Sequence, residues 1–590
     1  MTKRFICFIL LLAPLYLAAE TIPPQVARKI ASDVLRAQGC RSEQFRQVVE
    51  PPFMTKASLM GDPYYIFEGD RGGFIILAAD DRLSPVIGWS RDNTFSEEDE
   101  PANLRAWLDM WGDIVDAIRT GRLEPQKGAR AEWEDYKKGK VMTYGSGKML
   151  ETAKWDQGSP YNDYCPSING MVCVTGCTAT ATAILMRYHK WPGAGYGVLP
   201  SYEYTDDNGN QQYVNGLTLG NSYDWENMPL TVNDNTPAES RQQIARLMAD
   251  LGIMLKSYYN PGGTGAYSSD IPIGLAQYFS YDRSFTYCFK EYYSDNDWTK
   301  MIYDNIDNVG PVIFASSSKD GGHAFIIDGY SASGQVSINW GWGGSNNGMY
   351  TYPAFGDFTY NHSMITGLKK NEGGAIKEVL MIDGNGKNDG FTSETTEFEV
   401  GVPFNTLCRS VFNMGLYPFE GNIAVAVMHR DGSIGEILDG WTEEDDTIHL
   451  EAWYGFGFST TETVLTEPIS IGDRLCVWYR SVNTPEWTPM RGNLEDGITN
   501  YEIPIADQYS LEEVTSCRFT SATGELVIST KSDAEWSIAD SEGTLYTDGV
   551  TFVDGVLTIP TKQYPLQSYF ITLTKGYDTK TVEFVYGSEE

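Results

Sequence analysis

Five histidines and nine cysteines are the scarce reactive groups of this 590-residue chain, and one of each stands in a setting suited to acyl transfer. Thr175-Gly176-Cys177-Thr178-Ala179-Thr180-Ala181 leads into a stripe, Ala181, Ile184, Leu185 and Tyr188, at i, i+3, i+4 and i+7, one face of an α-helix. Cys177 lies at the N-terminal end of that stripe, where the helix dipole favours a thiolate. The competing reading, a small buried core cysteine, has equal support from this stretch alone. A thiolate nucleophile needs a base. His189 falls on the same predicted helix, about 18 Å along its axis, and is too far. His429 and His449 lie in a strand-rich tail, and His362 has no second chemical group around it. His323 does. It follows Gly321-Gly322 and opens the run Ala324-Phe325-Ile326-Ile327-Asp328-Gly329, and a second strand, Gln335 to Trp340, returns after a turn at Ser331 to Gly334. A hairpin centred on Ser331 brings His323 within a few residue pairs of Asn339. An Asn oxygen accepting from the imidazole would fix the ring, as in Cys-His-Asn enzymes, with Trp340 and Trp342 shielding the bond. The competing reading is a satisfied core histidine. Finally, Gln157, in Trp155-Asp156-Gln157-Gly158-Ser159-Pro160-Tyr161-Asn162, can offer its amide to a developing oxyanion alongside the Cys177 N–H. Alone that is a weak signal.

These groups must be carried by ordered domains. Hydrophobic residues make up 42% and aromatic residues 13% of the chain, and the length exceeds what one core sustains. The net charge of −35 argues against nucleic acid and anionic membrane as partners. Lys3 and Arg4 precede an apolar run from Phe5 to Leu17, with Ala18-Ala19 as a small-residue cleavage point. That is the layout of a secretory signal peptide, too short for a comfortable span; the competing reading is a retained anchor. Cys7 lies inside the run, which argues against a lipoprotein. Beyond it, Cys40, Cys165, Cys173, Cys177, Cys288, Cys408, Cys476 and Cys517 are scattered, unlike a disulfide scaffold or a zinc site, although Cys165 could pair with Cys173. No metal or other cofactor is expected.

Residues 20–143 read as a leading module: a helix over Gln25 to Gln38, strands at Tyr64 to Glu68, Gly73 to Ala78 and Val86 to Trp89, and a charged helix over Leu104 to Arg119. Ala131 to Met149 lacks apolar periodicity and reads as an exposed, cleavable linker. Residues 144–370 hold all the chemical motifs. Beyond them short strands, including Asn422 to His429, Arg474 to Tyr479, Glu525 to Ser529 and Ser568 to Thr574, suggest two β-sandwich domains, 371–505 and 506–590.

The central domain resembles the streptopain family of papain-like cysteine proteases, found in streptococci and Bacteroidetes. The resemblance is carried by blocks in the family's order: Asp156 to Asn162, Thr175 to His189, Tyr223-Asp224-Trp225, Leu247 to Gly252, Gly322 to Gly329, and Asn339-Trp340-Gly341-Trp342-Gly343-Gly344. It implies an α+β chain with a two-lobed papain-like catalytic domain, an N-terminal α+β prodomain and C-terminal all-β sandwich domains. It implies a Cys177–His323 dyad, Gln157 in the oxyanion hole, and either Asn339 or the Trp340 indole holding the histidine. The stretch Gly262 to Ser269 looks like the substrate-lining loop, which puts Gly262, Gly263, Gly265 and Ser268, with Gly322 and Trp342, at the substrate. Gly73 to Ile76, Asp80-Asp81-Arg82 and Ile87 to Ser90 look like the family's inhibitory prodomain. The expectation is therefore a secreted or cell-surface bacterial endopeptidase, made as a zymogen, acting on proteins or peptides and inhibited by its own prodomain. It has no membrane span after signal removal. The tail beyond residue 370 departs from the shorter streptococcal type. The alternatives are another Cys-His acyl-transfer enzyme, such as a transglutaminase or cell-wall amidopeptidase, and a non-catalytic surface-binding protein.

Overall fold

The computed structural model describes residues 21–48, 61–95, 102–126, 128–140, 147–318, 321–332, 334–351, 362–382, 390–443, 446–470, 472–492, 501–506 and the strands within 514–585. The expected signal peptide, and residues 141–146 of the expected linker, lie outside the described residues. The chain divides into two compact units, Met1–Lys377 and Glu378–Glu590.

In the first unit, α1 (Pro24–Ala37) starts on prolines, whose missing N–H leaves nothing unpaired in a first turn, and buries Ala27, Ile30, Ala31, Val34 and Leu35. Strands β1 (Phe45–Gln47), β2 (Tyr64–Gly69), β3 (Phe74–Ala78) and β4 (Val86–Ser90) follow. Every residue of β3 is buried, as in a sheet covered on both faces. Helix α2 (Ala102–Arg119) comes next. Asp80, just past β3, takes Nε and Nη2 of Arg82 at 2.8 and 2.9 Å, and Arg119 at the end of α2 approaches to 3.5 Å. Burial opposes ionisation there, but the Arg82 bonds outweigh it and hold the carboxyl below the usual range.

The expected linker begins as structure instead: α3 (Ala129–Lys137) buries Trp133 and Tyr136, one turn apart. The Trp133 indole donates to the Leu83 carbonyl at 2.8 Å. Two aromatic anchors among charged residues are enough to dock a short helix whose overall pattern looks polar.

The catalytic segment contributes α4 (Cys177–His189), α5 (Ala238–Met254), α6 (Asp270–Tyr278), β5 (Thr286–Phe289), α7 (Asp295–Asn308), β6 (Val312–Ser318), β7 (Gly321–Tyr330), β8 (Gln335–Asn339), β9 (Gly348–Thr351) and β10 (Ser363–Thr366). All ten strands form one antiparallel sheet, ordered β1-β2-β3-β4-β9-β8-β7-β6-β10-β5. The leading module thus extends the catalytic sheet through β4, where Trp89 and Gly88 pair with Met349 and Tyr350. One face, bearing Phe314, Phe325, Ile327, Ile338 and Trp340, is covered by Trp107, Trp111 and Ile114 of α2 and by Trp298 and Ile302 of α7. Helix α4 packs against β7 and β6, beside the Ile313–Ile326 pair of the other face.

In the second unit, Phe404–Asn413 and Gly455–Thr463 anchor one sheet, and Phe419–Met428 and Arg474–Ser481 another. Val411 of the first sheet shares a core with Ile423, Val425 and Val477 of the second, which makes a β-sandwich. Three- and four-stranded sheets lie within residues 514–585.

Candidate active site

Gly176 is where the chain turns into α4. Its φ of +86° and ψ of 149° belong to a region open in practice only to glycine, and a Cβ there would lie 2.6 Å from the Thr264 carbonyl oxygen. No side chain caps the helix start, so the first-turn N–H groups remain directed at whatever sits by the half-buried Cys177. The threonines around it are tethers. Thr175 Oγ1 and Thr180 Oγ1 lie 2.8 Å apart, Thr182 Oγ1 donates to Thr178 O at 2.7 Å, and Thr178 Oγ1 donates to Ala266 O at 3.3 Å. From Thr178 to Arg187 the helix is buried all round rather than along one stripe.

The Cys177 sulfur accepts the backbone N–H of Ala324 at 3.4 Å, one residue from His323. Among the described residues no hydrogen bond joins the sulfur to the imidazole. His323 pairs with Ser316 on β6, and strand alternation puts it on the face of Phe325 and Ile327, the face that α2 covers. Burial lowers its pKa below the ordinary histidine value. His189, at the far end of α4, is pushed by burial down to about 4, and His362, packed edge-on at 5.2 Å from Phe314, to about 3. Both are thereby held neutral, His362 buried and His189 half-buried. His429 bonds Asp473 and His449 bonds Glu451, each within the second unit.

Asn339 stands elsewhere than the expected hairpin placed it. The turn is closed by Ser331 N–H to Gln335 O at 2.8 Å, so the pairing Tyr330↔Val336 centres it two residues beyond Ser331. A bulge between Ile327 and Gly329 follows, and Asn339 then opposes Ile326. Because side chains alternate, this shift sets Asn339 and His323 on opposite faces. The Asn339 amide donates to Thr152 Oγ1 at 3.0 Å and to Ala153 O at 2.9 Å, and its oxygen accepts Gly341 N–H at 3.2 Å. Trp340 is buried in the aromatic core, 4.9 Å from Phe325, and its indole donates to Asn346 O at 3.1 Å. Neither candidate holder is bonded to His323 in this state.

Gln157 is tied to the segment that leads into α4: its carbonyl accepts Thr175 N–H at 3.0 Å, and its side chain is buried. The Gly341–Gly344 loop packs over the same corner, with a Cβ at Gly341 lying 3.2 Å from Thr180 Cγ2 and one at Gly343 lying 3.1 Å from Asp156 Oδ2. Trp342 in that loop is half-buried against the core. Gly262, Gly263 and Gly265 are exposed, the last two bordering open space, and the intervening Thr264 donates to Val174 O at 2.6 Å, which pins the loop beside Gly176. Ser268 is half-buried in the turn that enters α6, and Gly322 is exposed beside His323. The sequence reading missed Thr152 and Asp328, buried behind Asn339; the available signal was a lone Asp inside the apolar run of β7.

Among the described residues all seven cysteines are free, Cys165 and Cys173 included. Burial pushes the Cys165, Cys288 and Cys408 thiols up to about 12, whereas Cys177 is the one only half-buried. No group of three or more metal-ligating side chains occurs among the described residues, and none of their helices is long and apolar enough to cross a membrane.

Residues 155–350 match the Peptidase C10 family, and residues 19–113 match the Spi protease inhibitor family. The chain is 31% identical over 297 residues to the thiol protease/hemagglutinin PrtT of Porphyromonas gingivalis, covering 49% of this chain and 33% of that protein. It therefore spans about a third of that relative's length. It is 28% identical over 338 residues to streptopain of Streptococcus pyogenes, covering 53% of this chain and 82% of streptopain. The solved structure of active wild-type Prevotella intermedia interpain A cysteine protease is 31% identical, with 37% of this chain and 93% of that one covered and a TM-score of 0.34.

Proposed function

We propose, on the premise that this chain belongs to the Peptidase C10 family, that it is a secreted bacterial cysteine endopeptidase made as a zymogen. Residues 1–19 are the export signal, 20–143 the inhibitory prodomain and 144–370 the protease, with β-sandwich domains over 371–505 and 506–590. The observation that carries this reading is the Cys177 sulfur at an uncapped helix start, one residue along β7 from His323.

In the active enzyme His323 and Cys177 form an imidazolium–thiolate pair, and the sulfur attacks a substrate peptide carbonyl. The oxyanion is received by the Cys177 N–H and the Gln157 amide. His323 protonates the leaving amine, and water then hydrolyses the thioester. The Gly262–Ser269 loop, with Gly322 and Trp342, borders the substrate channel. Asn339 or Trp340 orients the imidazole once His323 leaves the face covered by α2. The docked prodomain opposes that movement. Its Trp89 indole donates to Gln335 at 2.9 Å, Asn93 donates to Asn347 O at 2.7 Å, and Trp107 meets Trp340 edge-on at 6.2 Å.

The test is to incubate purified precursor and its Cys177→Ala variant, sequence any new N-terminus, and assay casein hydrolysis beside amine incorporation. Self-processing and casein cleavage confined to the wild type support the proposal. Equal processing in both chains, or amine incorporation without proteolysis, overturns it.

A further inference from the structure

The strap that opens the catalytic segment is stitched to a defect in β7. Tyr330 N–H donates to Lys148 O at 2.9 Å, Met149 bridges Gly329, and Leu150 N–H donates to Asp328 O at 2.8 Å. These contacts fall at the bulge between Ile327 and Gly329, where the ladder to β8 is interrupted and a side chain can be re-aimed. Gly329 leaves room for the strap, since a Cβ there would lie 2.5 Å from Met149 Sδ and 2.7 Å from Lys148 O. The side chain re-aimed is Asp328, a buried carboxyl that accepts Thr152 Oγ1–H at 2.5 Å. Thr152 in turn accepts Asn339 Nδ2–H at 3.0 Å, and the neighbouring Ala153 carbonyl accepts the other amide proton at 2.9 Å.

This chain fixes which way the Asn339 amide points. A carbonyl cannot donate, so Ala153 O dictates the placement of Nδ2. The hydroxyl of Thr152 has one proton, and Asp328 takes it, so toward Asn339 it can only accept. Both amide protons are thereby committed to the strap. Oδ1 is left facing the other way, holding a single N–H, from Gly341, with a second lone pair to spare. An acceptor held in that orientation is what an imidazole N–H requires of its partner.

We propose that Thr152 is a positioning residue for Asn339, backed by Asp328, so that the strap over residues 148–153 belongs to the working active site rather than to the discarded leader. The proposal rests on the protease reading above. It has two consequences. Loss of the Thr152 hydroxyl removes one of the donors to Asp328, which keeps Ser337, and the acceptor for one amide proton of Asn339, and lets the amide reorient. Productive activation also has to cut ahead of Thr152, because a cut beyond it removes the staple with the leader.

The test compares full-length wild type, Thr152→Val and Thr152→Ser, each processed and titrated at Cys177 with an alkylating agent so that rates refer to active sites, with processed Cys177→Ala at equal protein concentration as the inactive control. Where a variant does not process itself, an added lysine-specific protease opens the Lys137–Lys148 region. Thr152→Val lowers kcat on a peptide substrate about 10- to 100-fold with KM changed less than about threefold, and Thr152→Ser, which keeps the hydroxyl, recovers most of the loss. Thermal unfolding of each chain shows whether the fold is retained. A folded Thr152→Val chain with wild-type kcat overturns the inference, as does a Thr152→Ser chain as impaired as the valine variant, or full activity from enzyme whose N-terminus lies beyond Thr152. A wild type that cleaves no peptide, like Cys177→Ala, overturns the protease reading and this inference together.

Discussion

Trp107 offers the sharpest test of how the leading module restrains the enzyme. Its indole is buried and meets the rings of Trp340 at 6.2 Å and Tyr350 at 5.9 Å, both edge-on and both on the catalytic segment. Truncating a buried tryptophan to alanine costs about 3–5 kcal/mol, and each aromatic pair accounts for about 0.5–1.5 kcal/mol of it. These partners belong to the catalytic segment, so a large share of that loss, about 3 kcal/mol, falls on docking rather than on the leading module's own fold. At about 1.4 kcal/mol per tenfold, the docked-to-released ratio drops about 100-fold. The assay is the rate of Cys177 alkylation by iodoacetamide in the intact, uncleaved precursor, with Cys177→Ala correcting for other thiols. Trp107→Ala should accelerate labelling at least tenfold and self-processing in parallel, and Trp107→Phe, which keeps one ring, should fall between. If intact Trp107→Ala precursor still unfolds cooperatively but is labelled at the wild-type rate, the indole does not hold the module closed and the argument fails.

Three further outcomes are expected. Gly176→Ala should abolish peptide hydrolysis while Thr264 and the α4 start are displaced, because the substitution meets both a forbidden dihedral, about 1–3 kcal/mol, and a backbone oxygen 2.6 Å away; wild-type kcat in this variant would refute the assignment of that turn. Burial pushes the Asp250 carboxyl up to about 6 despite the Tyr223 hydroxyl bond at 2.6 Å. The folded chain therefore keeps a proton that the unfolded chain releases near pH 4, and wild type loses stability as pH rises from about 4 to 6, up to about 3 kcal/mol. Asp250→Asn should gain on wild type across that window in thermal unfolding, and a difference independent of pH would count against it. Trp133→Ala should lower the melting temperature of the precursor, by removing a fully buried ring and its bond to Leu83, and a chain indifferent to it would show that α3 is not docked.

Local patterns in the sequence located most of what positions the chemistry. The stripe after Cys177 is a helix, and the strands around Ile75, Ile87, Ile326 and Ile338 fall within a residue or two of where composition set them. Two things were not legible. One was the face on which a side chain lands: moving the hairpin centre from Ser331 by two residues and adding one bulge carries Asn339 from the side of His323 to the side of Thr152. Register depends on how the turn closes, which propensity does not report. The other was anchoring by isolated residues. Trp133 with Leu83, and Thr152 with Asp328, are single contacts across long sequence separations, and neither produces a period.

The way the two modules join bears on how the inhibition proposed above would be released. The leading module supplies four strands of the ten-stranded sheet, yet only Trp89 and Gly88 face Met349 and Tyr350 across the seam. So short a ladder is possible because glycines sit on both sides of it: a Cβ on Gly88 would lie 2.8 Å from the Tyr350 ring, and one on Gly348 would lie 2.6 Å from Trp89 O. A few backbone hydrogen bonds at about 0.5–1.5 kcal/mol net each cannot by themselves keep a domain docked, so the burial of Trp107 has to supply much of the hold. The same brevity serves the free enzyme. When the leader departs it uncovers β9, a strand of four residues, and a short edge is a poor template for pairing with another chain. Tight storage and a safe exposed edge are thus compatible, because the grip lies in aromatic packing over the sheet face and not in the strand that is left open.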